Sequence, residues 1–362
     1  IIRSAHAPKS MQTPSPGAGG LWMPFHCEDE RTNEWASTTL QEYLEMEYQG
    51  HGAVEVVPAI IFKGEMMAGE EAEISGAHHP PPSWASNRDL GFSTVSIEDL
   101  VKGNTSHSSR PERGPSSAAT AAIVNNGAGL SGGSDHKSRS TTEKKVHVPA
   151  FAERYHSAWT FHVPIVDSPA LLGEFHQELI DGGADVNTNT LFSSASEAIE
   201  FANGCTGEDE IDAIVNCTGS GTLTGDESVV LARGVLRYYR RPPGFDTCML
   251  IEDPPFASER YPLYAIPRGG YVAVGGTYLE DDIEASPRDE EREMLDRNAE
   301  LLLPSDGMHF EPVGEWVGFR PVRPAGVAFG LNESLTRQAN RKLKWVDNYG
   351  HGGAGWTVAA GC

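Results

Sequence analysis

The sequence is poor in cysteine, in positive charge and in long apolar runs. Five cysteines in 362 residues, Cys27, Cys205, Cys217, Cys248 and Cys362, make no CxxC pair and no zinc-like spacing with histidine. A disulfide framework is thereby excluded, and free thiols in a reducing compartment fit best. Lysine and arginine number 28 against 51 aspartates and glutamates, a formal net charge of −23. Such a charge repels phosphate backbones and anionic bilayers, which excludes nucleic acid as a partner. No apolar run approaches the roughly 18 residues of a membrane span, and no charged-then-apolar leader opens the chain, so the expectation is a soluble protein without a membrane partner. The 13 histidines are scattered. "HCEDE" (26–30) and "GAHHPP" (76–81) read as exposed loops, so no metal site is expected.

A chain of this length has room for two domains, or one with interleaved parts, around a sizeable core. "TNEWASTTLQEYLEMEY" (32–48) places Trp35, Leu40, Tyr43, Leu44 and Tyr48 at helical spacing, and "AVEVVPAIIFKG" after it is strand-like. From 102 to 146 the composition turns to Ser, Gly, Thr and charge, as expected of a disordered insertion. Beyond it, "SAWTFHVPIVD" reads as a strand. "SPALLGEFHQELIDGG" reads as a helix with Ser168 as cap, Pro169 in its first turn, periodic Leu171, Leu172, Phe175, Leu179 and Ile180, and Gly182 as its stop. "YAIP" and "YVAVGG" about "RGG" signal a hairpin, and "SPRDEEREMLDRNAELLL" (286–303) a helix with its acids early.

Three stretches bear on chemistry. "GAGLSG" (127–132) has the G-x-G-x-x-G spacing, but a feeble strand before it and a poor helix after it argue against a phosphate cradle. "DAIVNCTGSGT" (212–222) runs a buried strand into small residues, either a cofactor platform or a core strand with a turn. In "NYGHGGAGWT" (348–357), four glycines mean either a tight turn opening a helix or main chain bared for a close ligand. In "GFRPVRP", Arg320 and Arg323 each precede a proline on stiff, extended backbone, suited to gripping a carboxylate or to a surface ion pair.

Taken together and in this order, "GAGGLWMPF", "DAIVNCTG", "YAIPRGG...VGGT", "GFRPVRP" and "NYGHGGAGWT" resemble the D-amino-acid oxidase and D-aspartate oxidase family of flavoproteins over nearly all of the chain outside 102–146. The resemblance implies an α/β fold with an α+β substrate part. A Rossmann-like FAD-binding domain (1–45, 160–225 and 310–362) would interleave with a mixed-sheet substrate domain (46–101, 147–159 and 226–309). The family's first βα unit, with its glycine fingerprint, would precede Ile1 and is missing from this sequence.

By the same matching, Gly352, Gly353, Ala354, Gly355, Trp356 and Thr357 would line the flavin ring, with Ser15, Gly19, Gly20, Leu21, Leu191 and Thr218 as further FAD contacts. Arg323 would hold the substrate carboxylate, Tyr264 would keep it in register, the Gly353 carbonyl would accept from the amine, and Tyr261 would be a second pocket tyrosine. His351 would support the turn.

The implied reaction takes a D-amino acid and O2 to a 2-oxo acid, ammonia and hydrogen peroxide by hydride transfer to the flavin, which needs orientation and charge clamping more than a strong base. Tyr278, where the acidic-substrate branch has arginine, implies neutral side chains. Trp159, Phe161 and Ala354 either shape that pocket or pack the core. The alternatives are a family member that binds no FAD and is not catalytic, and a D-aspartate oxidase. A homodimer stays open, and the address implied is the peroxisome or the cytoplasm.

Overall fold

The computed structural model describes residues 1–24, 29–65, 81–103, 147–207, 210–251, 262–304, 310–339 and 342–362. The chain begins with β1 (Ile2–Arg3), β2 (Val54–Glu65), β3 (Ser93–Ser96), β4 (Tyr155–Val166), β5 (Val186–Asn187) and β6 (Ala213–Asn216). It continues with β7 (Val230–Arg240), β8 (Cys248–Ile251), β9 (Leu263–Arg268), β10 (Tyr271–Gly275) and β11 (Leu279–Glu280). The last strands are β12 (Pro312–Val322), β13 (Ala328–Leu331) and β14 (Lys344–Tyr349). Eight of them run β11-β7-β10-β9-β8-β2-β4-β3 in one mixed sheet, and β12 pairs with β7 as its ninth strand. A parallel pair, β1 with β5, and a small sheet β13-β14-β6 form the rest.

Side-chain alternation divides the large sheet between two cores. On one face Ile61, Trp159, Phe161, Leu250 and Ile266 pack with Trp22 and with Leu40, Tyr43 and Leu44 of the helix Thr32–Tyr48. On the other, Ile60, Phe62, Met249, Ile251, Val272 and Val274 pack against Ala299 and Leu302 of the helix Asp289–Leu302. The expected hairpin is present: β9 and β10 pair antiparallel, with Tyr264 opposite Gly275 and Gly269 taking the left-handed φ of 56° that the turn needs.

Some expectations need correction. The apolar stripe of the helix Thr32–Tyr48 stops at Leu44, and Tyr48 is exposed. In the helix Ser168–Asp181 the cap position falls to Asp167, with Ser168 already inside the first turn. Only Ser168 and Leu171 of that helix are buried, while Phe175, Leu179 and Ile180 are exposed. Periodicity reveals that a face is apolar but not that anything covers it. Strand β6 is buried only at Asn216. It is paired on one side, with β14, and Val215 is 57% exposed. Both β4 and β12 run within the large sheet, joined to it by long-range pairing that is invisible in local pattern. The insertion beyond Gly103, and with it "GAGLSG", lies outside the described residues.

Behind the large sheet, Arg233 is fully buried and grips Glu291 at the start of the helix Asp289–Leu302, with Nη1–Oε1 2.5 Å and Nη2–Oε2 3.0 Å. Glu291 also accepts the backbone N–H of Arg288 at 2.7 Å, the glutamate half of a capping box. Removing one member of a buried pair strands the other charge. We therefore expect Glu291→Ala to lower unfolding free energy by about 3–5 kcal/mol, and Arg233→Met with Glu291→Leu to recover most of it, both read from urea denaturation.

Candidate active site

The glycine cluster resolves into strand β14, a turn, and a short helix Gly355–Val358. Both sequence readings hold in part, since the turn does open a helix and does bare main chain. Gly350 and Gly352 take left-handed φ values of 82° and 56°. Gly352 donates its N–H to the Pro321 carbonyl at 2.8 Å and Gly350 donates to Gly219 at 3.0 Å, so the turn is stitched to β12 and to the loop after β6. A Cβ at Gly355 would meet nothing within 4 Å, and one at Gly353 would first meet Arg320 Cδ at 3.6 Å. Gly350, Gly352 and Gly355 also carry the G-x-G-x-x-G spacing, here between strand β14 and the helix Gly355–Val358. Sequence reading passed over that match; the strand-like "KWVD" before it was the available signal.

Facing this turn is the segment 14–22. The Trp356 indole donates to Ser15 O at 3.1 Å, and Thr357 Oγ1, fully buried, donates to Met23 O and accepts from Met23 N. Tyr238 Oη donates to Gly17 O at 2.8 Å, Arg268 bonds the carbonyls of Pro16 and Ala18, and Trp316 lies where a Cβ on Gly17 would be. Gly19 presses on Ile266. At Gly20, φ is 74° and a Cβ would strike Val166 O, so glycine is required there. Leu21 bridges to Ile165 and is half-buried. The sheet thus fastens the segment against the glycine turn.

The two arginines of "GFRPVRP" have different fates. Arg323 lies past the end of β12. Its Nε donates to Asp226 Oδ2 at 2.9 Å and its Nη1 to Gly326 O at 2.9 Å. Tyr349 Oη donates to the same Asp226 oxygen at 2.9 Å. Arg323 thus helps hold the loop 217–229 to β14 through Asp226, where the sequence led us to expect a grip on substrate. Its partner stands 97 residues away in sequence and could not be foreseen. Arg320, on β12, donates Nη1 to Thr277 O at 3.1 Å, has its guanidinium carbon 5.7 Å from the Tyr278 ring, and stands beside Gly353.

Burial pushes the Tyr264 hydroxyl above its ordinary pKa, with Arg320 pulling part of the way back, so it is a neutral donor at physiological pH. Burial lowers the His351 pKa, and Nε2 lies 3.4 Å from Cys362 Sγ.

Of the other expected residues, Thr218 is exposed and bonded to Asn216, next to the Gly219 that meets the turn. Leu191 is 74% exposed, with no described contact to this assembly. Trp159, Phe161 and Ala354 are buried at 8%, 3% and 1%, which makes them core. Tyr261 lies outside the described residues. An open cleft of about 740 Å³ lined by Glu280–Ala285 is acidic and would repel a carboxylate, so it is not this site. Among the described residues no cluster has the make-up of a metal site, and no helix is long and apolar enough to cross a membrane.

Bare turn backbone, and a cation beside a buried phenol, offer contacts to a flat group and to an anionic small molecule. The chain belongs to the FAD dependent oxidoreductase family, whose model matches residues 115–362, and FAD is the cofactor of that family. It is 30% identical over 202 residues to a D-amino-acid oxidase of Streptomyces coelicolor, covering 55% of this chain and 56% of that protein. It is 31% identical over 208 residues to a D-amino-acid oxidase of Rubrobacter xylanophilus, covering 56% of each. The chain thus spans about half the length of these curated relatives. In fold it is similar to glycine oxidase from Geobacillus kaustophilus, with TM-score 0.62 and 15% identity over 99% of this chain and 84% of that one. It is also similar to iminodiacetate oxidase from Chelativorans sp. BNC1, with TM-score 0.57 and 16% identity over 99% and 85%. The Rossmann-like α/β fold of FAD-dependent oxidases is therefore present.

The bare backbone of Gly353 and Gly355 fits the ring end of such a cofactor, since side chains there would occupy its place.

The Asp226 network has a pH signature. Burial alone would raise the Asp226 pKa, but hydrogen bonds from Ser228, Arg323 and Tyr349 outweigh it and hold the carboxyl well below the usual range. A depressed folded pKa stabilises fully above the unfolded value, near 3.9, and that stability is lost as pH falls from there through the folded value. Asp226→Asn is expected to lower Tm at neutral pH and to flatten the fall in Tm between about pH 5 and 3, read by circular dichroism.

Proposed function

We propose that the protein oxidatively deaminates D-amino acids with neutral side chains, converting them with O2 and water to 2-oxo acids, ammonia and hydrogen peroxide. The observation that carries this reading is the placement of Arg320 beside Tyr264, Tyr278 and Gly353. Arg320 replaces Arg323 as the carboxylate clamp, because a guanidinium already paired with Asp226 has no second carboxylate to take. Tyr264, kept protonated by burial, donates to the same carboxylate and fixes its rotation. The Gly353 carbonyl accepts from the substrate amine, which turns the α-carbon toward the bare backbone. Gly352 to Thr357 with Ser15, Gly19, Gly20 and Leu21 would hold FAD, which when bound supplies the hydride acceptor. The chain's own contribution is orientation: it fixes two ends of the substrate and leaves the Cα–H as the group presented.

Tyr278 beside Arg320 supports neutral substrates over D-aspartate. It places an aromatic ring where a second carboxylate would need a cation.

The test begins with FAD added to the purified protein. Yellow, flavin-loaded protein that releases peroxide on D-alanine and not on L-alanine supports the reading, and protein that stays colourless overturns it. Arg320→Leu should lower kcat/KM for D-alanine by about a hundredfold or more, whereas Arg323→Leu should lower Tm and leave KM within about threefold. Tyr278→Arg should shift the ratio of D-aspartate to D-alanine kcat/KM toward the acid by about tenfold or more, since a hydrogen bond to a charged group is worth ~1.5–3 kcal/mol.

A further inference from the structure

The structure assigns to Gly234 the role of positioning residue for the Arg320 guanidinium; this rests on the clamp reading above. Gly234 lies within β7 opposite Gly318 of β12, and Ala232, two residues back on the same face, is opposite Arg320. A Cβ on Gly234 would sit 2.3 Å from Arg320 Nη1, 2.5 Å from Nη2 and 2.6 Å from Cζ. The guanidinium is therefore laid against bare main chain at a level that one methyl group would forbid. Gly234 is not needed for backbone reasons, since it has none of the left-handed φ found at Gly219 or Gly350. In a strand interior glycine is less favourable than alanine, so its presence here answers to Arg320 and not to the sheet.

Tyr264 is seated in the same way. A Cβ on Gly275 would lie 2.2 Å from its Cζ, and one on Gly276 2.6 Å from its Oη. Both polar groups of the clamp are thus recessed by the same device, with Thr277 O bonded to the guanidinium between them. A Cβ at 234 must push the guanidinium outward, and a misplacement of about 1 Å is enough to cost roughly a hundredfold in rate.

The experiment is a double-mutant cycle of Gly234→Ala with Arg320→Leu, read in KM for D-alanine on the FAD-loaded protein and in Tm without added flavin. Gly234→Ala alone is expected to raise KM about tenfold or more and to lower Tm. In the Arg320→Leu background it is expected to leave KM unchanged and not to lower Tm. Equal effects of Gly234→Ala in both backgrounds, or no effect on KM in the wild type, overturn the assignment. Should Gly234→Ala fail to fold while the double variant folds, the contact is upheld; failure of both overturns it. An Arg320→Leu variant with unaltered KM brings down the clamp reading itself, and the Tm coupling then reports separately whether Gly234 seats the guanidinium.

Discussion

The antiparallel pairing of β12 with β7 is the constraint on which the site depends. The two strands run in register from Val322 opposite Val230 to Gly314 opposite Tyr238, with one irregularity between Pro312 and Gly314. Their shared face carries Arg320, Gly318 and Trp316 on one strand and Ala232, Gly234 and Tyr238 on the other. Small residues in that row leave a trench in which the large ones lie flat. The carbonyl of Pro321, near the end of β12, then receives the Gly352 N–H, so the strand that carries the cation also anchors the glycine turn. Position and partner are set by one ladder.

A second set of bonds keeps the turn where the ladder places it. Arg323, Asp226 and Tyr349 join the end of β12, the loop after β6 and the end of β14, three parts of the chain far apart in sequence. Arg323 resembles a ligand-binding arginine, and its partners here are Asp226 and Gly326. Its work is to make the loop bearing Gly219 and the strand bearing Tyr349 meet.

Much of this was legible in the sequence, and the reasons are local. The helices at 32–48, 168–181 and 289–302, the hairpin about Gly269 and the bared turn at 350–355 each declare themselves through periodicity, breakers or glycine density, which act over a few residues. Arg320 and Arg323 could not be told apart in the sequence, because each precedes a proline. They differ only in strand parity and in partners reached through the fold. Knowing that β12 ends at Val322, and that Arg320 shares a face with Gly318, would have separated them; neither fact is available without the pairing. Exposure was misjudged for the same kind of reason: Val215 and the Phe175, Leu179, Ile180 face are apolar by composition, yet burial belongs to neighbours and not to the residues themselves.

Two indoles flank the segment that faces the glycine turn. Trp316 donates to Met11 O just before that segment, and Trp356 to Ser15 O within it, so each ring is tied by its nitrogen to main chain near the turn. An indole so placed is an optical probe built into the protein. Its emission overlaps the absorption of an oxidised flavin, so energy transfer would darken both rings together and remove their share of the emission of the seven tryptophans, with no label needed.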